Sequence, residues 1–484
     1  MNRQAPWSQR STADRLQGGY RTLRQNPGTS RPIPRQEVVM LTRRLVTQAL
    51  SALVLACLLG SAAEAQERYP SSFSTDLLEA ASVRAAMGWL EQNFPDHVEE
   101  WIRITEIPAP SGMERDRALY LKEVLEAEGV PASIDEFGNV VATLAGTGEG
   151  PTIVIAAHMD TVHPLEVDVT VTRDGDVLRA PGVFDNSASV ANMLAVIRAW
   201  KRTGIQTSGN VIFIGTVEEE VGLVGMTKWL EANPGVADMV VALDGGLGSV
   251  SYGALWFSGR RYIFRADGAH TLQSRGRPHP AVALADAIRS IYEIPIPEDR
   301  DFAVYNVGMV HGGSVRNAIP QEVWFTVDLR AVDPALVDEL GAEMDRRVTG
   351  VADRHGVILD RDPPLAERAV EDAANMLSDP ERRSHPLVQT AVDVYAHLGI
   401  EAPARNTGST DAVAAVRLGI PAIAMGRSLG GDQHTVQEWA HVPSALAATK
   451  ALLLVAVSMA ELANGGSDAS GGRPADLPAG RRNP

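Results

Sequence analysis

Four apolar runs constrain this chain more than any other feature. TIVIAAHMD (152–160), NVIFIGTVEEE (210–220), MVVALDGG (239–246) and PAIAMG (421–426) are continuous rather than alternating in polarity. A strand that is apolar on both faces needs cover on both sides, the condition of a central strand in a mostly parallel sheet wrapped by helices. Helical patterns supply that cover. ERDRALYLKEVLEAEGV and SASVANMLAVIRAWKR (187–202) carry apolar residues at three- and four-residue spacing, and SALAATKALLLVAVSMAELA reads as a final helix. Strands alternating with helices make the expected class α/β, a mostly parallel sheet with flanking helices.

Near residue 252 the texture changes. RRYIFRADGA, AVALADAIRSI, YNVGMVHGG, QEVWFTVDLRAV and ALVDELGAEMDRRV follow as β, α, β, β, α. This predicts an inserted α+β sandwich over 252–362. It divides the α/β unit into a first part, 78–250, and a second part, 370–463. NVVATLAG (139–146) adds a strand to the first part. The tail 464–484 is rich in Gly, Pro and Ser and reads as disordered.

The amino terminus reads as targeting. Arg43 and Arg44 precede the run ALSALVLACLLG (49–60), and Ala63-Glu64-Ala65 offers a small-residue cleavage site before Gln66. Residues 40–65 are therefore expected to be a signal peptide and 1–39 a disordered leader or an over-extended start, with the mature protein secreted or periplasmic. The run is short for a membrane span, so no stable span is expected in the mature form. The single cysteine, Cys57, lies inside it. A lipid anchor at Cys57 is disfavoured because the apolar run continues past it. Cleavage after Ala65 leaves a chain with neither a disulfide nor a thiol ligand. The 484-residue chain has a net charge of −16, which argues against a nucleic-acid surface.

The strand ends carry the chemistry. His158 and Asp160, two apart, share one face of a strand end, where ligands bind in open α/β sheets. Glu218-Glu219-Glu220 follows a second strand and Asp244 a third, while PAIAMG leads through Gly430-Gly431 to His434. Asp185 stands in APGVFDNSAS, just before a helix. Each alone reads as a helix cap or a rim charge. Five together suit divalent ions such as Zn, Mn or Co, since oxygen and imidazole ligands are present without sulfur. Two metals bridged by one carboxylate would use the set, with an unliganded glutamate of the triplet as general base.

With these residues in view, the chain resembles the di-zinc exopeptidase and amidohydrolase family of glutamate carboxypeptidase, peptidase T, aminoacylase and succinyl-diaminopimelate desuccinylase, over about 90 to 460. The resemblance implies His158, Asp185, Glu220, Asp244 and His434 as ligands to two divalent ions, most often zinc. It implies Asp185 as the bridge, Asp160 as the support of His158, and Glu219 as general base. It further implies His270, in GAH, as a lid histidine acting on the other subunit of a homodimer. Asn317 in NAIP, Arg330 in DLR, and Gly408, Ser409 and Thr410 in GSTDA match its substrate-binding positions. Asn186 departs from relatives that carry an acid or lysine there, and Arg316 is a further specificity candidate. His163, His279, His311 and His385 read as structural or surface residues, and Trp256, Trp324 and Trp439 as packing.

The expected activity is hydrolysis of an amide bond in a small peptide. The alternative is a non-peptidase amidohydrolase acting on N-acyl amino acids. An inactive binding or scaffold relative would lack a ligand or the base, and none is missing.

Overall fold

The computed structural model describes residues 69–297, 302–362 and 375–463. The expected leader, signal peptide and tail, with Cys57, lie outside the described residues. All four apolar runs form strands, Ile153–His158, Val211–Thr216, Met239–Leu243 and Ala422–Met425, and every residue in them is buried.

They lie side by side in an eight-stranded sheet. Its order is Ala132–Ile134, Val140–Leu144, Val211–Thr216, Ile153–His158, Met239–Leu243, Ala422–Met425, Val250–Ser251, Ala404–Arg405. The four central strands are mutually parallel. Antiparallel pairing enters only toward the edges, at Ala132–Ile134, Val140–Leu144 and Val250–Ser251.

The two faces divide the apolar residues by parity. Ile153, Ile155 and Ala157 pack with Phe213, Val241 and Leu243 against helices Ala188–Thr203 and Val442–Met459. Val154, Ala156, Ile212 and Ile214 face helices Val224–Ala232 and Asp411–Arg417. This two-sided burial is the physical reason the runs do not alternate. The very apolar helix Val442–Met459 is long enough to cross a membrane by length and composition, but 78% of it is buried inside the protein.

Register levels the strand ends. His158 pairs with Thr216, and Leu243 pairs with Met425. The chain therefore leaves all four strands in one plane, directly at His158, Val217, Asp244 and Gly426.

Residues 256–361 build a separate antiparallel sheet, ordered Ala303–Gly312, Glu322–Ala331, Trp256–Arg265, Ile358–Arg361. Helices Pro280–Tyr292 and Pro334–His355 cover one face, with Phe264, Phe325, Val327 and Leu329 against Ala287, Leu340 and Met344. Asp333 caps the second helix by accepting from Ala335 N at 2.8 Å. The four-residue strand Ile358–Arg361 is an addition to the predicted β, α, β, β, α order. The edge strand Ala303–Gly312 leaves Val304, Met309 and Val310 exposed.

A small antiparallel sheet was not legible in the sequence. Leu429–Gly431, Trp439–His441, Val177–Arg179 and Thr172–Asp174 pair in that order. Strands of three residues have no period to detect, yet this sheet draws the loop carrying His434 toward the loop carrying Asp185.

Candidate active site

His158 is the last residue of the central strand. Its Nδ1 lies 3.1 Å from the carbonyl oxygen of Asp160. A carbonyl only accepts, so Nδ1 holds the proton and Nε2 turns its lone pair outward. Nε2 is 3.2 Å from Asp185 Oδ1, 3.8 Å from Asp244 Oδ2 and 4.0 Å from Glu219 Oε2. Asp160 is fully buried and braces the next strand end. Its Oδ1 accepts from Glu219 N at 3.0 Å, and its Oδ2 accepts from Ser111 Oγ at 2.7 Å and Glu220 N at 3.1 Å.

Asp185 enters on a loop held by a residue that sequence reasoning missed. Glu438 accepts from the backbone N–H of Gly182 at 2.9 Å, Phe184 at 2.8 Å and Asp185 at 2.7 Å. Gly182 adopts φ 75, and a Cβ there would meet Thr161 Cγ2 at 2.7 Å, so the turn into the loop requires glycine. The Asp185–Asn186 peptide is cis. Held this way, Asp185 splits its two oxygens: Oδ1 faces His158, and Oδ2 lies 3.5 Å from His434 Nε2.

His434 Nε2 is also 3.2 Å from Glu220 Oε1, a buried oxygen without a hydrogen bond. The predicted ligands thus gather into overlapping groups, His158–Asp185–Asp244 and Asp185–Glu220–His434, with Asp185 common to both. A third group, His158–Glu219–Glu220, overlaps them.

Electrostatics show a cluster short of positive charge. Burial pushes the Glu219 carboxyl well above its usual range, helped by Asp244, Asp411 and Glu220 and opposed by His158. Burial, with Asp185 and Asp160 nearby, raises Glu220 to about 7. The hydrogen bond to Asp185 and the charge of Glu220 raise His434 to about 9, against burial. Burial would raise Asp185 too, but Arg427, His158 and His434 hold it well below the carboxylate range. Acids that cannot all ionise, gathered around two imidazoles, are a fitting receptor for divalent cations.

Other residues escaped sequence reading. Arg427 is buried against Asp185 and Asp244. Asp411, behind the site, is raised to about 7 by burial and accepts from Thr216 Oγ1 at 2.5 Å. Glu438 stands four residues past His434, and nothing in that spacing marks it. His163, expected to be structural or surface, is 7% exposed and sits 3.8 Å from Glu438 Oε2.

The remaining predicted residues lie elsewhere. His270 and Asn317 come together on the paired segments Ala269–His270 and Ala318–Ile319, with His270 Nε2 3.5 Å from Asn317 Nδ2. Among the described residues no hydrogen bond or ion pair links His270 to the metal-ligand cluster. Arg330 pairs with Asp328 at 3.0 Å on the antiparallel sheet. Gly408 accepts from Leu255 N at 2.6 Å, where the chain leaves for that sheet. Exposed Ser409 follows, and Thr410 caps helix Asp411–Arg417.

A mostly parallel sheet with imidazoles and carboxylates gathered at its strand ends, joined to a second antiparallel unit, is the construction of the metal-dependent hydrolases. The family model of peptidase family M20/M25/M40 matches residues 154–458, and the chain belongs to this family. A putative [LysW]-lysine/[LysW]-ornithine hydrolase of Pyrococcus abyssi is 32% identical over 169 residues, 34% of this chain. The match spans 45% of that relative, somewhat under half its length. Among solved structures, aminopeptidase PepT from Bacillus cereus superposes with TM-score 0.62 at 23% identity, covering 76% of this chain and 99% of PepT. Bacillus subtilis YXEP, a dinuclear metal binding peptidase of the M20 family, superposes with TM-score 0.56 at 18% identity, covering 77% of this chain and all of that one. The superpositions bear out the α/β fold with its additional lid-like unit.

The shifted groups make metal-free stability pH-dependent. Glu220 ionises near its ordinary 4.5 when unfolded but only near 7 when folded, so its contribution falls as pH rises through that window. His434, raised from 6.5 to about 9, stabilises below 6.5 and loses that contribution by 9. Both signs agree. His97 and His385, lowered to about 4 by burial, act in the opposite direction below 6.5, so the comparison is between variants. From pH 5 to pH 7 the Tm of chelator-treated wild type is expected to fall relative to that of Glu220→Gln, and a difference that stays constant or reverses would contradict the charge assignment.

Proposed function

We propose that this protein is a two-metal hydrolase that cleaves an amide bond of a small peptide. The observation that carries this reading is the split of the Asp185 carboxylate between His158 and His434. His158, Asp185 and Asp244 would hold one divalent ion and Asp185, Glu220 and His434 the other. Zinc suits this nitrogen and oxygen set, with cobalt or manganese as alternatives. When bound, the two ions supply Lewis acidity that acidifies a water and polarises the scissile carbonyl.

The chain's own residues do the proton work. Glu219 belongs to neither of those two groups, and its backbone is fixed by Asp160. A carboxylate whose proton affinity burial has raised is suited to take a proton from the attacking water and return it to the leaving amine. Glu219→Ala is expected to lower kcat by at least about 100-fold while metal analysis still finds two ions per chain. Turnover near wild type would remove Glu219 from this role.

The relative from Pyrococcus abyssi, whose name specifies a hydrolase of [LysW]-lysine, supports a second reading as a non-peptidase amidohydrolase. Di- and tripeptides are expected to be hydrolysed faster than N-acetyl amino acids. The reverse preference would favour this second reading.

Two features support a homodimer. The edge strand Ala303–Gly312 exposes Val304, Met309 and Val310, and His270 is exposed with, among the described residues, no hydrogen bond or ion pair to its own candidate ligand cluster. His270 of the partner subunit would steady the oxyanion. Co-refolding inactive Glu219→Ala with inactive His270→Ala is expected to restore activity, because one site of the mixed dimer is then intact. No recovery in demonstrably mixed dimers would place His270 outside the active site.

A further inference from the structure

The two candidate metal positions have the same donor inventory: one imidazole, one carboxylate of their own, and Asp185. Burial separates them. His158 is 2% exposed, whereas the His434 side chain is 53% exposed. On burial alone the inner position would hold its ion more tightly, because its ligands are already ordered.

Arg427 acts against that ranking. It is fully buried, pairs with Asp244 Oδ1 and lies 3.2 Å from Asp185 Oδ1. Its Nη1 donates to Asn186 Oδ1 at 3.1 Å, and its guanidinium lies 4.1 Å from the Phe184 ring centroid. The backbone is equally fixed. Arg427 N donates to Gly245 O at 3.1 Å, and Arg427 O accepts from Asn192 Nδ2 at 2.8 Å. Next to it, a Cβ on Gly426 would collide with Gly246 O. Among the described residues it forms no ion pair with Glu220 or His434.

Resting on the two-metal reading, we propose that Arg427 is a built-in cation that makes the two positions unequal. It weakens the His158–Asp185–Asp244 position and leaves Asp185–Glu220–His434 as the tight one. An arginine stays protonated at every working pH. Touching both carboxylates of one position, it neutralises part of their attraction for a dication and repels the ion directly. In a buried setting that repulsion outweighs the benefit of ordered ligands. It also fixes Asp244 by Oδ1, leaving Oδ2 toward His158, and it keeps both aspartates compensated when one ion is bound.

Metal-stripped full-length protein titrated with Co2+, followed by visible absorbance, and with Zn2+ against a chromophoric chelator, reads both steps without reference to activity. Wild type is expected to bind two ions in separated steps. Asp244→Asn keeps the tight step and loses the weak one; Glu220→Gln keeps only the weak one. Arg427→Met tightens the weak step by about tenfold or more and moves the tight step less. Arg427→Lys, which retains the charge, keeps the steps apart. Loss of the tight step in Asp244→Asn, or unchanged separation in Arg427→Met, overturns the proposal. Should Arg427→Met not fold, Arg427→Gln makes the same test of the charge, while the Asp244 and Glu220 variants decide which position is tight. Fewer than two ions on wild type would overturn the two-metal reading itself, an outcome distinct from two ions binding in the opposite order.

Discussion

The site depends on where one carboxylate points. Asp185 must offer one oxygen to His158 and the other to His434, two histidines on segments far apart in the chain. Its backbone is therefore clamped rather than left as a surface loop. Glu438 takes three N–H groups of this loop, from Gly182, Phe184 and Asp185, on one carboxylate, and Gly182 supplies a turn that a side chain would obstruct. Because Glu438 sits in the His434 segment, the same contact that fixes Asp185 also fixes the approach of that histidine.

Placing this many acids together is costly, and the fold offsets the cost in two ways. Acids that orient rather than ligate are compensated by backbone donors. Asp160 accepts from Glu219 N and Glu220 N, and Glu114 accepts from Gly112 N and Glu218 N at 2.8 and 3.0 Å. Among the described residues, the acids that face the centre are compensated by Arg427, the two histidines and the Gly245 N–H on Asp244, so their remaining charge is directed at cations. Hydrogen-bonded acids build the walls and under-compensated ones face the substrate side.

Much of this was legible in the primary structure, for identifiable reasons. His158, Glu219, Glu220 and Asp244 end long apolar runs, where a switch from buried to ionisable residues is conspicuous. Arg427 also follows such a run, but a cation beside glycine in a loop resembles ordinary surface chemistry. Glu438 and Asp411 follow no apolar run that would mark them, and only their burial sets them apart. The small sheet that presents His434 left no periodic signal because its strands are three residues or fewer.

The sequence by itself determined the layer order and the inventory of candidate ligands. Continuous apolar runs require cover on two sides, and the residue types at their ends select hard divalent ions over thiol chemistry. Tertiary structure alone decided which acids are braced by backbone donors, which Asp185 oxygen faces which histidine, and that a permanent cation sits inside the cluster. Those outcomes depend on distances of 3 to 4 Å between segments far apart in the chain. Spacing along a sequence carries no information about such distances until the sheet register and the Glu438 clamp have set them.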